Sequence, residues 1–312
     1  AYDIASCLVG SEMCIRDRGY ENDLRVLIKE PYPKMIKDGG IGKFSMHKQP
    51  SLEALPEANL ISLFDLDNEF SLAYEMAVTN HNLKCEWPKA VINESKKLKD
   101  KNFDINSVID LRSKTFVTID GKSAKDFDDA VLGEKDEHGN LILYVAIADV
   151  ARYIDEGSHL DNEAFDRGTS VYFSQRVIPM LPEELSNDLC SLKPDEDRFC
   201  IVCKTTVSED GSLTDTSFFE AIINSKSRLT YPTVTREIEK KQFKKPYADS
   251  LGVLLNIYRR LKKNRVERGS LELEVPTYIP KVVNQKIVKF IDSPREISHM
   301  MIEEFMLSLI HI

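Results

Sequence analysis

The sequence predicts an α+β fold in which a small β module precedes a larger mixed α/β domain. Residues 114–120 alternate apolar and polar side chains as a strand does, and residues 141–150 form an apolar run typical of a strand buried on both faces. Near the end of the chain, residues 250–269 and 293–306 carry apolar stripes with helical periodicity. With 312 residues, 42% of them hydrophobic, the chain can bury a substantial core.

The chain divides into two parts by composition. Residues 19–93 mix short apolar runs with Gly and Pro, which predicts short strands and turns more than helices. Residues 94–113 are charged and poor in large apolar side chains, so we expect a linker or a surface helix there. We place the domain boundary near residue 95 and the larger domain at 114–306.

Local signals predict a turn and two helix ends. Residues 134–140 supply the Gly and Asn of a hairpin turn between the first two strands of the larger domain. The first of the two helices is predicted to end at Gly269, a C-cap residue. The second is predicted to begin with Ser293 as N-cap, Pro294 at the first helical position and Glu296 completing a capping box.

The cysteines and the hydropathy indicate a reduced protein outside the membrane. The six cysteines are too few and too scattered for a disulfide scaffold. Cys200 and Cys203 have CxxC spacing but lie in a strand-like run without a second such pair, so core packing is favoured over zinc. Because no apolar run is long enough to span a bilayer and no signal peptide is recognisable, we expect a cytoplasmic protein.

Both ends of the sequence predict a fragment of a longer protein. The chain begins with Ala1 and stops inside a predicted helix. Residues 1–18 and 307–312 contain stretches that look like translated sequencing-adaptor read-through, and we exclude them from functional reasoning. The alternative is that both segments are genuine termini.

The net charge of −9 is unexpected for a protein that binds nucleic acid, since Lys and Arg normally neutralise phosphates. Three runs are nevertheless locally basic, at 94–101, 236–245 and 258–270. Each could follow a nucleic-acid backbone, and the alternative for each is a solvated helix face.

Four aspartates follow the first strand of the larger domain within ten positions: Asp120, Asp126, Asp128 and Asp129. Close carboxylates raise one another's pKa unless a cation neutralises them, which suggests a hard divalent ion with oxygen ligands. Mg²⁺ usually takes one or two carboxylates plus substrate phosphates, as phosphodiester cleavage would need, whereas the order of a calcium-binding EF-hand is absent. A solvated acidic turn is the alternative, and spacing alone leaves the two about equal.

Five segments resemble the catalytic (RNB) domain of the ribonuclease II and ribonuclease R family, at 118–131, 144–154, 158–173, 177–198 and 227–231. The resemblance extends from about residue 110 to 306 and is closer to bacterial ribonuclease R than to ribonuclease II. Residues 80–88 resemble the end of the family's second cold-shock OB-fold, so residues 19–93 are expected to be a partial OB-fold β-barrel, truncated at its start.

The resemblance implies an enzyme: a hydrolytic, processive 3′→5′ exoribonuclease that releases nucleoside 5′-monophosphates from single-stranded RNA. It implies two Mg²⁺ ions held by Asp120, Asp126, Asp128 and Asp129, with Asp128 and Asp129 catalytic and Asp128 indispensable. Tyr172 matches the tyrosine that stacks on the terminal base, and its alternative is a strand-core aromatic. We expect a monomer without a small-molecule cofactor. A non-catalytic RNA-binding scaffold of the same fold is the alternative.

The family's arginine-bearing motif and C-terminal OB-fold would lie beyond residue 312. The fragment alone is therefore expected to turn over poorly or not at all.

Glu304 is the remaining candidate for the catalytic site. On the last predicted helix it shares an apolar face with Ile297, Met300 and Met301, whereas Glu303 falls off that face. A carboxylate on a buried face needs a partner. A metal-bound water or RNA contact and a salt-bridged core glutamate are equal alternatives at this stage.

Overall fold

The computed structural model describes most of the chain after residue 55 and shorter stretches before it. The described residues are 2–9, 14–17, 25–28, 41–48, 56–64, 69–101, 103–173, 176–271, 275–284, 286–293 and 295–311. They form two compact units. The first unit comprises 1–86, 170–178 and 277–293, and the second comprises 87–169, 179–276 and 294–312.

The strands are, in chain order, β1 (Tyr2–Val9), β2 (Cys14–Asp17), β3 (Arg25–Ile28), β4 (Ile41–Lys48), β5 (Glu57–Leu63), β6 (Ile109–Asp110), β7 (Val117–Asp120), β8 (Asp129–Lys135), β9 (Leu141–Ala148), β10 (Val171–Tyr172), β11 (Val177–Ile178), β12 (Asp197–Val207), β13 (Leu213–Asn224), β14 (Ser227–Thr230), β15 (Tyr278–Val283) and β16 (Lys286–Asp292). The α-helices are α1 (Glu69–Asn80), α2 (Lys89–Lys97), α3 (His159–Arg167), α4 (Tyr231–Lys240), α5 (Ala248–Glu267) and α6 (Ile297–His311). Shorter helical turns occur at Leu98–Asp100, Ile105–Ser107, Val150–Arg152 and Leu185–Leu189.

The first unit contains a closed five-stranded barrel in the order β1-β2-β3-β5-β4. β1 closes it by antiparallel pairing with β4, and Phe44 and Ala58 are buried. Strands β1 and β2 lie within residues 1–18, the segment interpreted as read-through, and that interpretation stays a prediction. The prediction of strands more than helices for 19–93 was wrong for α1, whose Leu, Ala, Glu and Met residues favour a helix.

The second unit is built on a seven-stranded mixed sheet in the order β14-β7-β8-β9-β12-β13-β6. The central strands are antiparallel, and the two edge pairs, β14 with β7 and β13 with β6, are parallel. The alternating run at 114–120 and the apolar run at 141–150 correspond to β7 and β9, as predicted. The turn before β9 contains Gly139 with a φ of 84°, as the hairpin prediction requires. The predicted mixed α+β class is confirmed.

Hydrophobic clusters cover both faces of this sheet. Because strand side chains alternate, Leu132 of β8 belongs to one cluster and Val131 to the other, which also contains the buried faces of α5 and α6. Cys200 and Cys203 are both buried on β12 and, three positions apart, point to opposite faces. The predicted core packing of these cysteines is confirmed.

Gly133 lets α5 lie against β8. A Cβ atom at this position would stand 2.9 Å from the backbone nitrogen of Leu254. The Gly133 N–H donates to Ser250 Oγ at 3.0 Å, so the strand and the helix also share a buried hydrogen bond. This close approach places α5 on the sheet.

The two helix-end predictions had different outcomes. Gly269 follows the end of α5 with a φ of 83°, which confirms the predicted C-cap. α6 begins at Ile297, so the N-cap prediction for Ser293 was wrong: the Ser293 N–H donates to Thr277 O and belongs to the β15–β16 hairpin. Pro294 lies outside the described residues.

Glu296 takes the capping position of α6 instead. Its carbonyl accepts from the Met300 N–H, and its own N–H donates to Nδ1 of His299 at 3.2 Å. This geometry resembles a capping box in which a histidine side chain reaches back to the N-cap N–H. No helix in the described part of the chain is long and apolar enough to cross a membrane.

Candidate metal centre

The four predicted aspartates lie around one end of the β7–β8 pair. Asp120 is the last residue of β7 and Asp129 is the first of β8, and the connecting loop carries Asp126 and Asp128. The pairing of the strands therefore brings together residues that are up to nine positions apart in the sequence. The carbonyl of Asp128 accepts from the Ala148 N–H at 2.9 Å, which fixes this end of the loop against β9.

Polar groups from distant parts of the chain hold the loop in place. Nη2 of Arg228, on β14, donates to the carbonyls of Gly121 at 2.9 Å and Lys122 at 2.8 Å. Ser191 Oγ accepts from the Phe127 N–H at 3.0 Å and donates to the carbonyl of Lys125 at 3.1 Å. Because these bonds tie the backbone of the loop to β14 and to Ser191, the loop has a defined shape before any ligand binds.

Burial and mutual repulsion raise the pKa values of three of the aspartates. Burial and the negative charge of Asp129 raise the pKa of Asp120 to about 7, against the opposing effects of Thr118 and Arg228. Burial and the charge of Asp128 raise the pKa of Asp129 to about 6. Partial desolvation and the charge of Asp126 raise the pKa of Asp128. The fold thus places these carboxyl groups where their ionised form is disfavoured. A bound cation would stabilise the ionised form.

The residues present fit a Mg²⁺ site that is completed by water and substrate. Oδ2 of Asp120 is buried and has no hydrogen-bond partner among the described residues. Within the described ranges, no three His, Cys, Asp or Glu side chains converge closely enough to hold an ion by themselves. Mg²⁺ keeps several waters and usually takes one or two carboxylates plus phosphate oxygens, so a closed protein cage is not needed.

An aromatic pair that we did not identify from the sequence borders the aspartates. Tyr231 and His299 stack with ring centroids 3.9 Å apart. Burial and the charges of Asp129, Asp120 and Glu303 raise the pKa of Tyr231 to about 12. The position of Tyr231 directly after β14, which runs parallel to β7 with Thr230 opposite Asp120, was the available signal.

Glu304 is buried as its helical face predicts, with 5% of its surface exposed. Its Oε2 lies 3.1 Å from Nε of Arg265 on α5, so the geometry favours the salt-bridged alternative over the catalytic one. On α6 it is the exposed Glu303, set aside by the helical-face argument, whose charge reaches Tyr231. Helical periodicity identifies the buried face and not the face that meets the site.

Tyr172 belongs to the first unit, whereas the aspartates belong to the second. It ends β10 in a short hairpin with β11, and 63% of its side chain is exposed. The strand-core alternative was therefore wrong. Phe173, the next residue, packs edge-to-face on Tyr74 with centroids 4.8 Å apart, which anchors the hairpin that presents Tyr172. The stacking of Tyr172 on a base stays a prediction.

Comparison with known proteins gives consistent matches. The model of the RNB domain matches residues 108–309. Ribonuclease R of Escherichia coli (strain K12) is 43% identical over 244 residues, which is 76% of this chain and 30% of that protein. The chain thus spans about a third of the length of this curated relative.

Two solved structures share the fold. The structure of Mycoplasma genitalium RNase R in complex with double-stranded RNA matches with a TM-score of 0.86 at 24% identity, over 99% of this chain and 56% of that one. Yeast Ssd1, a pseudonuclease, matches with a TM-score of 0.68 at 17% identity, over 98% of this chain and 40% of that one. At these identities the likeness shows the fold alone. Since the family model covers most of the chain and includes all four aspartates, the chain belongs to the RNB domain family.

Proposed function

We propose that the protein is a hydrolytic 3′→5′ exoribonuclease that degrades single-stranded RNA processively to nucleoside 5′-monophosphates. The observation that carries this proposal is the set of four coupled aspartates at one end of the RNB sheet, with a buried Asp120 oxygen that has no hydrogen-bond partner among the described residues. The curated relative named ribonuclease R supports the reaction class. The M. genitalium relative, solved with double-stranded RNA, supports RNA as the substrate class.

We assign Asp120, Asp126, Asp128 and Asp129 as the residues that would hold two Mg²⁺ ions, with Asp128 and Asp129 as the catalytic pair. Bound Mg²⁺ would supply Lewis-acid activation of water and of the scissile phosphate. Burial and the neighbouring carboxylates raise the pKa of Asp120 in the metal-free protein to about 7, so Asp120 must give up a proton that it holds readily in order to ligate a cation. Arg228 holds the loop carbonyls, so the carboxylates keep their positions while the RNA advances.

We further propose that Tyr172 stacks on a base of the substrate. Its exposed ring suits this role, because every base has an aromatic face and stacking is therefore tolerant of sequence. Glu304 is retained only as a buried partner of Arg265.

Residues 19–93 are proposed to be part of an OB-fold. The place of β3, β4 and β5 in a closed five-stranded barrel supports this assignment. We expect the whole protein to act as a cytoplasmic monomer without a small-molecule cofactor. Activity is expected of the longer protein, since the chain spans 30% of its E. coli relative.

A non-catalytic RNA-binding scaffold is the second candidate. It is favoured by one observation, the shared fold with yeast Ssd1, a pseudonuclease. The presence of all four aspartates argues against it, because a scaffold gains nothing from carboxylates held at raised pKa.

The test is product analysis with the protein from the unbroken reading frame. An RNA labelled at its internal phosphates and carrying a single-stranded 3′ tail is incubated with Mg²⁺, with EDTA, and with the Asp128→Asn variant. We expect nucleoside 5′-monophosphates only with the wild type in Mg²⁺. Intact RNA would support the scaffold, diphosphate products would indicate phosphorolysis, and equal rates for Asp128→Asn would refute the assigned site.

A further inference from the structure

The loop that carries the aspartates also lines a cavity that the proposed chemistry does not use. This cavity, of about 860 Å³, lies within the second unit. None of the four metal-centre aspartates lines it. Its basic side chains come from the aspartate loop, from the segment before β12 and from β14: Lys122, Lys125, Lys193 and Arg228.

The charge of the cavity is positive after its ion pairs are counted. The carboxylate that lines it, Glu196, is paired with Arg198. Nζ of Lys193 lies 2.7 Å from Oδ1 of Asp188, but that carboxylate is shared with Lys99 at 3.4 Å. The described cations around the cavity therefore outnumber the described carboxylates that pair with them, so the cavity favours an anion.

Arg228 gives the cavity a half-buried cation without a counter-ion among the described residues. Among the described residues no carboxylate lies within 4.0 Å of its guanidinium, and its Nε is buried without a hydrogen-bond partner. The positive charge of Arg228 lowers the pKa of Asp120, although the two side chains form no ion pair. Even partial burial makes an unpaired charge costly, so an anion in this cavity would compensate for that cost.

The rest of the lining is apolar and partly aromatic. Phe127 lines the cavity together with Ala124 and Pro194, and the guanidinium of Arg228 stands 5.5 Å from the centre of the Phe127 ring. Small-molecule sites usually combine an apolar wall with a few charged groups that fix orientation. An anion attached to a ring system matches both parts of this lining better than a bare inorganic ion does.

We propose that this cavity binds a nucleotide through its phosphate, with Lys122, Lys193 and Arg228 as the cationic contacts. The choice of a nucleotide rests on the proposed function. The chemistry recognised is a phosphate esterified to a ribose, and it comes either from the RNA strand or from the released 5′-monophosphate. The aspartate loop would then contact RNA or product on this side as well as at the metal centre.

The test compares matched charge deletions. The double variant Lys122→Ala/Lys193→Ala removes two cations from the cavity. The control Lys89→Ala/Lys135→Ala removes two exposed cations that lie outside the cavity and outside the three basic runs, and Lys193→Arg keeps the charge. Binding of a labelled single-stranded RNA and of a labelled nucleoside 5′-monophosphate is measured in EDTA by fluorescence anisotropy over a range of salt concentrations, after circular dichroism confirms folding.

We expect the cavity variant to bind RNA at least tenfold more weakly than the control, with Lys193→Arg close to wild type. The slope of log affinity against log salt should become shallower by about 0.7 for each RNA phosphate that the variant no longer neutralises. Loss of RNA binding alone would identify the strand phosphate as the ligand, and loss of monophosphate binding alone would identify the product. Affinities for both ligands equal to those of the control would overturn the proposal.

Product release by the full-length wild type separates this proposal from the proposed function. If the wild type releases monophosphates and the cavity variant binds as well as the control, the nucleotide site in the cavity is refuted and the exonuclease activity is not. If the cavity variant loses binding and the wild type releases no monophosphates, the proposed exonuclease activity is refuted and the nucleotide site is not.

Discussion

Replacing Asp120 by Asn should make the metal-free protein more stable. The folded state raises the pKa of Asp120 from 3.8 to about 7, a shift of about three units. At roughly 1.4 kcal/mol per unit, the upper limit is about 4 kcal/mol, and partial solvent screening reduces the expected gain to about 1–2 kcal/mol. Asn has nearly the same shape and carries no charge, so it removes the repulsion without leaving a cavity.

The gain should depend on pH in a defined direction. A folded-state pKa above the unfolded value means that the folded protein binds the extra proton, so the wild type loses stability as pH rises from about 4 to about 7. The advantage of Asp120→Asn should therefore be clearly smaller near pH 5 than near pH 8, where it is complete. With saturating Mg²⁺ the order should reverse, because binding to the folded state stabilises the wild type more.

Urea unfolding at pH 5 and pH 8, with EDTA or Mg²⁺, measures both effects. Asp136→Asn is the control, and it should lower stability instead of raising it. Hydrogen bonds from Asn140 and His138 lower the pKa of Asp136, so the fold favours its ionised form. A metal-free Asp120→Asn protein that is less stable than wild type at pH 8, or equally favoured at both pH values, would show that the electrostatic reasoning is wrong.

Three further predictions test the packing around the site. Gly133→Ala should destabilise the fold by about 1–3 kcal/mol in urea unfolding, because its Cβ would meet the α5 backbone, whereas Gly252→Ala, with open space around its Cβ, should stabilise by about 0.5–1 kcal/mol. Glu304→Gln should lower stability by about 1–3 kcal/mol while full-length protein keeps releasing monophosphates, since it breaks a buried ion pair; loss of activity at unchanged stability would instead make Glu304 catalytic. Cys190 and Cys200, whose pKa values burial raises to about 12, should resist alkylation in native protein and react after unfolding, as peptide mass spectrometry would show.

The sequence predicted the features that depend on local pattern. The alternation of apolar and polar side chains identified β7, and an apolar run identified β9. The tolerance of glycine for positive φ identified the end of α5. Each of these signals lies within a few residues. The aspartates were found for the same reason, since all four lie within one strand–loop–strand segment.

The rest depended on contacts between residues far apart in the chain. The clamp by Arg228 joins residues more than one hundred positions apart, and the stacking of Tyr231 on His299 joins α4 to α6. The start of α6 was misplaced because Ser293 is held by Thr277, a partner that no local capping rule includes. The two alternatives for Glu304 stayed equal in the sequence because periodicity shows that a residue is buried without showing what it packs against.

Direct titration of Mn²⁺, a paramagnetic substitute for Mg²⁺, is the most direct test of the metal centre. Free Mn²⁺ is measured by electron paramagnetic resonance with the 312-residue chain, with Asp120→Asn/Asp128→Asn and with the control Asp136→Asn, which lies in the turn between β8 and β9. The assignment predicts saturable binding by the wild type and the control and its loss in the double variant. Equal binding by all three proteins would contradict the claim that these aspartates hold the metal.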